Sequence, residues 1–395
     1  MKRLIEESKK YIFNTYSRLP VIIVKGEGFK LWDNKGKEYI DFMGSRGTAN
    51  LGHCHPEIVN AVKEQAERLI HVTNDFYIEP QILLAKMLVD NSFADKVFFA
   101  NSGAEAVESA IKLARKYSRD RFGPNRYEII TMYNSFHGRT MGAISATAQE
   151  KFHKGFEPML DGFKYIPFND IDALKESISN RTCAVMIEPI QGEGGVNCPK
   201  DNYLNMVREI CNDKDILLIF DEVQVGCGRT GKLFAYENYG IEPDIMTLAK
   251  SLAGGLPIGA MLSKDEIADS FSPGTHASTF GGNPLSTAAG IASLSILLKG
   301  EILENCRRVG KYFIERLNSL KDRYKFIKDI RGIGLIIGME LDFNASYIVD
   351  KCLERGLIIN CTMGNILRFL PPLIIREKEV DLLTDTLDDI FKERV

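Results

Sequence analysis

The 395 residues carry 50 Lys and Arg against 53 Asp and Glu, a formal net charge of −3, and 45% of the chain is apolar. That length exceeds one compact core and predicts a large domain with a smaller one, while near-balanced charge without a basic block argues against nucleic acid as a partner. Eight cysteines without a C-x-x-C pair argue against a zinc site or disulfide framework, and no stretch reaches the roughly 20 apolar residues of a membrane helix.

The opening run Met1 to Lys10 is charged and helix-periodic, with Leu4, Ile5, Ser8, Tyr11 and Ile12 on one side. It lacks the apolar core of a signal peptide, so a cytoplasmic protein is expected. Phe29 to Asp33 and Glu38 to Phe42 flank a turn at Asn34-Lys-Gly36 and predict a hairpin that joins the smaller unit. His53-Cys-His55 has a metal-like spacing, but without further ligands it reads as a packed turn, and no metal is expected.

Short β-rich apolar runs then recur at 97–100, 128–132, 183–188, 216–220, 245–248 and 258–262, with helical patterns between most of them. Unbroken hydrophobicity in such runs means burial on both faces, hence an α/β fold with a mostly parallel sheet covered by helices. In that architecture ligands bind at the carboxyl ends of the strands. Past about residue 295 the pattern changes to a long helix over 305–320, strand-like pieces at 336–340 and 366–370, and a last amphipathic helix containing Val380, Leu383, Leu387 and Ile390. The expected division is 1–50 as an N-terminal part of a small α+β domain, 51–294 as the large domain, and 295–395 as the rest of the small one.

Lys250 sits just past one apolar run and opens into the turn at Gly254-Gly255, placed to make a Schiff base. Asp221 ends another, where a carboxylate is costly to bury unless it has a partner such as a pyridinium nitrogen. A lysine for an aldehyde and an aspartate for a ring nitrogen are what pyridoxal 5'-phosphate asks of a protein. In Asn101-Ser-Gly-Ala-Glu105, Ser102 and Glu105 fit a capping box, and small residues at 102–104 let backbone amides approach an anion. Taken alone, that fragment reads equally well as an ordinary capped helix.

Phe136-His-Gly-Arg139 supplies an aromatic face for a ring and a planar guanidinium for a carboxylate. Gln224 is a candidate donor to the phenolic oxygen, whereas Glu222 fits better as part of a strand-to-loop turn. Gly226-Cys-Gly-Arg-Thr-Gly231 matches G-x-G-x-x-G, but Asp221 to Val225 separate it from its strand, so it reads as a structural loop and not a nicotinamide site. In Ser278-Thr-Phe-Gly-Gly-Asn-Pro284, Thr279 is a candidate for a phosphate and Ser278 for a substrate.

Taken in order with Leu51-Gly-His-Cys-His-Pro56, Ile187-Glu-Pro-Ile-Gln-Gly-Glu-Gly-Gly195 and Leu367-Arg-Phe-Leu-Pro-Pro372, these segments resemble the fold-type I, subgroup III aminotransferases over nearly the whole chain. The resemblance implies a pyridoxal 5'-phosphate enzyme with a seven-stranded, mostly parallel sheet in the large domain. By it Lys250 is the Schiff-base lysine, Ser102, Gly103 and Ala104 surround the phosphate, Phe136 stacks on the ring, and Asp221, Glu222, Val223 and Gln224 line its other edge. It also implies a homodimer in which Thr279 reaches the neighbouring subunit's phosphate, with Arg139 and Ser278 on an acylated amino acid donor and 2-oxoglutarate as acceptor.

Glu193 and Arg368 match the family's switch, a glutamate that neutralises an arginine for the first half-reaction and leaves it for the second. The chain departs from the family at Arg46, where an apolar residue or a tyrosine is expected. If Arg46 faces the substrate channel, a donor with a second acidic group gains plausibility; if it faces a subunit contact, nothing changes. Free ornithine, 4-aminobutyrate, succinylornithine and acylated lysine remain rival donors. A racemase or aminomutase needing no keto acid, and a non-catalytic pyridoxal phosphate-binding regulator, are the rival classes.

Overall fold

The chain opens with an amphipathic helix, Lys2–Tyr11, in the computed structural model, which describes residues 2–394. β1 (Ile23–Glu27), β2 (Lys30–Asp33) and β3 (Glu38–Asp41) follow as an antiparallel meander containing the expected hairpin. The apolar runs of the middle of the chain then become one seven-stranded sheet. Its strands are β4 (Lys96–Ala100), β5 (Glu128–Met132), β6 (Phe163–Ile166), β7 (Thr182–Ile187), β8 (Leu217–Asp221), β9 (Ile245–Leu248) and β10 (Gly259–Ser263), in the order β4-β10-β9-β8-β7-β5-β6.

β5 to β9 are mutually parallel, and β10 runs antiparallel to both β4 and β9. Two reversals return β4 to the common direction, so its carboxyl end lies at the same sheet edge as those of β8 and β9. Every residue of β5, β7, β8 and β9 is buried, as their unbroken hydrophobicity requires. β6 is an edge strand and only half-buried. Its alternating Phe163-Lys-Tyr-Ile166 therefore made no continuous run in the sequence.

Helix Gly103–Phe122 lays Ala106, Val107, Ala110, Ile111 and Ala114 against this sheet. Small side chains bring its axis close, and the fit at its start is tight: a Cβ on Gly259 would come within 2.2 Å of the Ser102 carbonyl oxygen. The helix N-terminus is thus fixed over the carboxyl ends of the strands.

Beyond helix Glu301–Arg323 the chain adds β11 (Ile327–Ile333), β12 (Ile336–Leu341), β13 (Leu357–Ile358), β14 (Asn360–Thr362) and β15 (Ile366–Phe369). Four of these form an antiparallel sheet ordered β11-β12-β15-β14, while β13 pairs in parallel with β3, so both ends of the chain share a sheet. Phe313, on the buried face of the long helix, touches Phe42 at 6.0 Å and Phe369 at 5.2 Å between ring centroids. Burying such a ring contributes roughly 1.5–3 kcal/mol, and here it ties the first strands to the last. No single helix among the described residues is long and apolar enough to cross a membrane.

Candidate active site

Where the strands end, their loops enclose a cavity of about 380 Å³. β4 leads to Ser102, Gly103 and Ala104, β5 to Phe136 and Arg139, β7 to Glu188 and Glu193, β8 to Asp221, Val223 and Gln224, and β9 to Lys250; all of these line it. Lys250 begins a tight helical turn with φ of +42°. That conformation costs on the order of 1 kcal/mol for a residue bearing a side chain, and such strain is usually retained at functional positions. Burial lowers the pKa of its amine, outweighing the attraction of Glu193 and Asp221, which eases loss of the proton that blocks nucleophilic attack.

Asp221 is held from three sides. Oδ1 accepts from Thr247 Oγ1 at 3.0 Å and from the Val223 amide at 3.1 Å, and Oδ2 lies 2.7 Å from His137 Nδ1. Burial opposes a charge on His137, but the hydrogen bond and charge of Asp221, with Glu188 beyond, outweigh it and raise the imidazole's pKa. His137 therefore orients the carboxylate.

Arg368 is fully buried, and each guanidinium nitrogen has a partner: Nη2 is 2.8 Å from Glu193 Oε1, Nε donates to Asn360 Oδ1 at 2.9 Å, and Nη1 donates to Gln224 Oε1 at 3.3 Å. The other Glu193 oxygen, Oε2, lies 3.6 Å from Arg46 Nη1. Burial pushes the Glu193 pKa up, but Arg368, Arg46 and Lys250 outweigh it and hold the carboxyl below its ordinary value. A buried cation is thus clamped by a carboxylate that shares the cavity wall with the Lys250 amine.

The class-III aminotransferase family model matches residues 11–391. The chain belongs to the class-III aminotransferases. It is 56% identical to an acetylornithine aminotransferase of Caldanaerobacter subterraneus subsp. tengcongensis, covering 99% of each chain, and 53% identical to one of Methanocaldococcus jannaschii, covering 98% of each. Its fold is similar to the crystal structure of ornithine aminotransferase from Toxoplasma gondii, with a TM-score of 0.96 and 35% identity over 99% of this chain and 96% of that one.

Class-III aminotransferases depend on pyridoxal phosphate, and the residues of this cavity fit it. The Gly103 and Ala104 amides head a 20-residue helix, where first-turn amides have no intrahelical acceptor and the dipole favours an anion. A Cβ on Gly103 would meet Val223 Cγ1 at 2.7 Å, so glycine keeps that approach open. Phe136 supplies an apolar ring on the cavity wall, Asp221 a carboxylate for a ring nitrogen, and Lys250 an amine.

In this class-III aminotransferase Glu222 is a correction to the expected set. Its carboxyl turns away from the cavity and accepts the amides of Ala235 at 2.5 Å and Tyr236 at 2.7 Å. Burial lifts its pKa from 4.5 to about 8. Between those values the folded chain keeps a proton that the unfolded chain releases, so this stability is complete below the lower value and lost as pH rises through the upper. Glu222→Gln, neutral throughout, should flatten the fall in calorimetric melting temperature between about pH 4.5 and 8. Equal slopes for variant and wild type would contradict this assignment.

Ser278 and Thr279 lie outside the main cavity, in a neighbouring depression with Asn101 and His276. Ser278 Oγ accepts from Asn101 Nδ2 at 3.1 Å and from the Gly281 amide at 3.0 Å, and Thr279 is exposed. Gln224, expected on a phenolic oxygen, bridges Arg368 and the Arg46 carbonyl, to which Nε2 donates at 3.3 Å. Sequence reasoning missed His137, Thr247 and Asn360; of these only His137, inside the Phe136–Arg139 segment, carried a signal.

The glycine-rich loop after β8 is structural. Arg229 is fully buried and donates to the carbonyls of Leu335 at 2.9 Å and Pro371 at 2.6 Å. His53 Nε2 lies 2.8 Å from Asp41 Oδ2. Among the described residues no three His, Cys, Asp or Glu gather as a metal site requires.

Proposed function

We propose that this aminotransferase moves the terminal amino group of N2-acetyl-L-ornithine to 2-oxoglutarate, giving N-acetyl-L-glutamate 5-semialdehyde and L-glutamate, a step of arginine biosynthesis in the cytoplasm. The observation that carries the reading is Arg368 clamped by Glu193 beside Lys250. A terminal-amine donor brings no carboxylate to its reacting carbon, and 2-oxoglutarate does. Glu193 neutralises Arg368 for the first and uncovers it for the second, a shift driven by differential contacts. The acetylornithine aminotransferase names of relatives at 56% and 53% identity support the choice of donor.

When bound, pyridoxal phosphate supplies an aldehyde for the amino group and a ring that accepts the electron pair left on the donor carbon. Lys250 anchors it, and the freed Nζ moves the proton at the donor's terminal carbon. Asp221, braced by His137 and Thr247, keeps a negative charge against the ring nitrogen. Ser102, Gly103 and Ala104 hold the phosphate, Phe136 and Val223 flank the ring, and Arg139 binds the donor's α-carboxylate.

A homodimer belongs to the same reading, with Ser278 at the substrate and Thr279 reaching the neighbouring subunit's phosphate. The lip carrying them exposes Tyr77 by 97%, Phe76 by 64% and Phe280 by 57%, an apolar surface that a second subunit would cover.

The test is a donor panel with 2-oxoglutarate. Acetylornithine should give the highest kcat/KM, at least about tenfold above free ornithine and 4-aminobutyrate, and Glu193→Ala should narrow the gap between terminal-amine and α-amino donors. Preference for another donor overturns the substrate, and product formation without consumption of 2-oxoglutarate indicates an isomerase.

A further inference from the structure

Arg46 sits in an unusual piece of backbone. Gly44, Ser45, Arg46 and Gly47 have φ of 51°, 51°, 59° and 86°, one left-handed turn in which two members carry side chains. Left-handed backbone is unfavourable for such residues and persists only where the surroundings over-determine it. Here they do. Asp41 Oδ1 accepts the Met43 and Gly44 amides, each at 2.9 Å, and Gln224 Nε2 holds the Arg46 carbonyl. A Cβ on Gly44 would lie 2.2 Å from the Leu370 carbonyl oxygen, so the turn is pressed against the segment that follows Arg368.

This turn carries the Arg46 guanidinium to Glu193. One carboxylate thus lies between two cations: Oε1 is 2.8 Å from the buried Arg368 and Oε2 is 3.6 Å from Arg46, whose side chain is 60% exposed. Gln224 links the two arginines, through its oxygen to one guanidinium and through its nitrogen to the other residue's carbonyl.

We infer that Arg46 is the second station of Glu193, receiving its carboxylate when a dicarboxylic acceptor claims Arg368. The inference rests on the proposed acceptor, 2-oxoglutarate. When its α-carboxylate reaches Arg368, Glu193 must leave, and without another cation it would remain as an unpaired anion beside an incoming one. Both the desolvation and the like-charge contact oppose acceptor binding. Arg46 removes that penalty, because two carboxylates then meet two guanidiniums. The movement is short: Oε2 needs under about an ångström more to reach the distance Oε1 keeps from Arg368. In the donor half-reaction no second carboxylate arrives at Arg368, so Glu193 stays and Arg46 contributes little. Arg46 is therefore a positioning residue acting through Glu193, selective for the acceptor half-reaction.

The experiment uses the holoenzyme and follows the half-reactions separately by the coenzyme's absorbance, with acetylornithine and then 2-oxoglutarate. Binding of glutarate, a non-reacting dicarboxylate, is measured by calorimetry. Arg46→Met should weaken glutarate binding and raise the half-saturating 2-oxoglutarate concentration about tenfold, with the donor half-reaction changed less than about twofold. Arg46→Lys should restore most of the loss. Arg46→Gly, which suits the left-handed backbone, should match Arg46→Met, so strain or misfolding cannot account for the effect.

In a Glu193→Ala background, Arg46→Met should have no further effect on glutarate, because the anion that needs a second station is gone. An undiminished effect there means Arg46 binds the acceptor itself and overturns the inference. So does a loss confined to donors with an acidic acyl group, such as succinylornithine, or unchanged acceptor parameters. Failure of the functional reading is distinct: the wild-type enzyme would then not transfer to 2-oxoglutarate at all.

Discussion

Lys250→Ala should lower turnover by at least about 10⁴-fold, the upper range for losing one positioned acid–base group, with loss of the covalent anchor added. The fold should survive. The amine is buried in a cavity and its pKa is lowered by that burial, so removing it relieves a desolvation cost and leaves no buried partner unpaired. The strained φ of +42° is unchanged, since alanine fits it no better than lysine.

Two readouts separate this from general damage. Borohydride reduction of the wild-type holoenzyme followed by peptide mapping should place the coenzyme on the peptide containing position 250, and the variant should carry none. Small primary amines added to the variant should restore part of the proton transfer, because the cavity keeps its other walls. Full turnover in Lys250→Ala, or a coenzyme label on another lysine, would remove the assignment.

The site was legible in the sequence to the extent that its chemistry is local to strand ends. Asp221 and Lys250 each follow a run buried on both faces, and that pattern identifies the carboxyl edge of a parallel sheet without knowledge of strand order. The brace on Asp221 was not legible, because His137 follows β5 and meets β8 only since β7 alone lies between those strands. Strand order is a long-range property that no local pattern encodes. The contact between Arg46 and Glu193 depends in the same way on a left-handed turn that neither composition nor periodicity signals.

Edge and short elements were lost for a related reason. β6 and β14 are partly exposed and β13 has two residues, so none makes a continuous apolar run. A domain boundary between 294 and 295 would cut helix Pro284–Leu298. We propose Lys299-Gly300 as the joint, where Gly300 adopts φ of +87° before helix Glu301–Arg323 begins. One buried apolar cluster runs across that joint, from Phe220 and Leu294 to Phe313 and Phe391, so hydrophobicity alone could not mark it.

Asp221→Asn should lower kcat by about 10³-fold while leaving the site's shape intact. Asparagine can retain the Oδ1 contacts with Thr247 and the Val223 amide, so the change isolates charge from geometry. A charge pair near 4 Å at an effective dielectric of 20 interacts by about 4 kcal/mol, equivalent to roughly three powers of ten in rate. His137 provides an internal check. Its raised pKa depends on the hydrogen bond and charge of Asp221, so in the variant it should fall, and titration of the imidazole by NMR should show it.

The sign follows from linkage: the stability this histidine contributes is complete below its unfolded value and lost as pH rises through its folded one, so the variant should lose part of that low-pH stability. Asp221→Glu keeps the charge but lengthens the arm, and should lose less in kcat than Asp221→Asn if electrostatics dominates. Activity of Asp221→Asn within about tenfold of wild type would mean that the carboxylate only shapes the pocket.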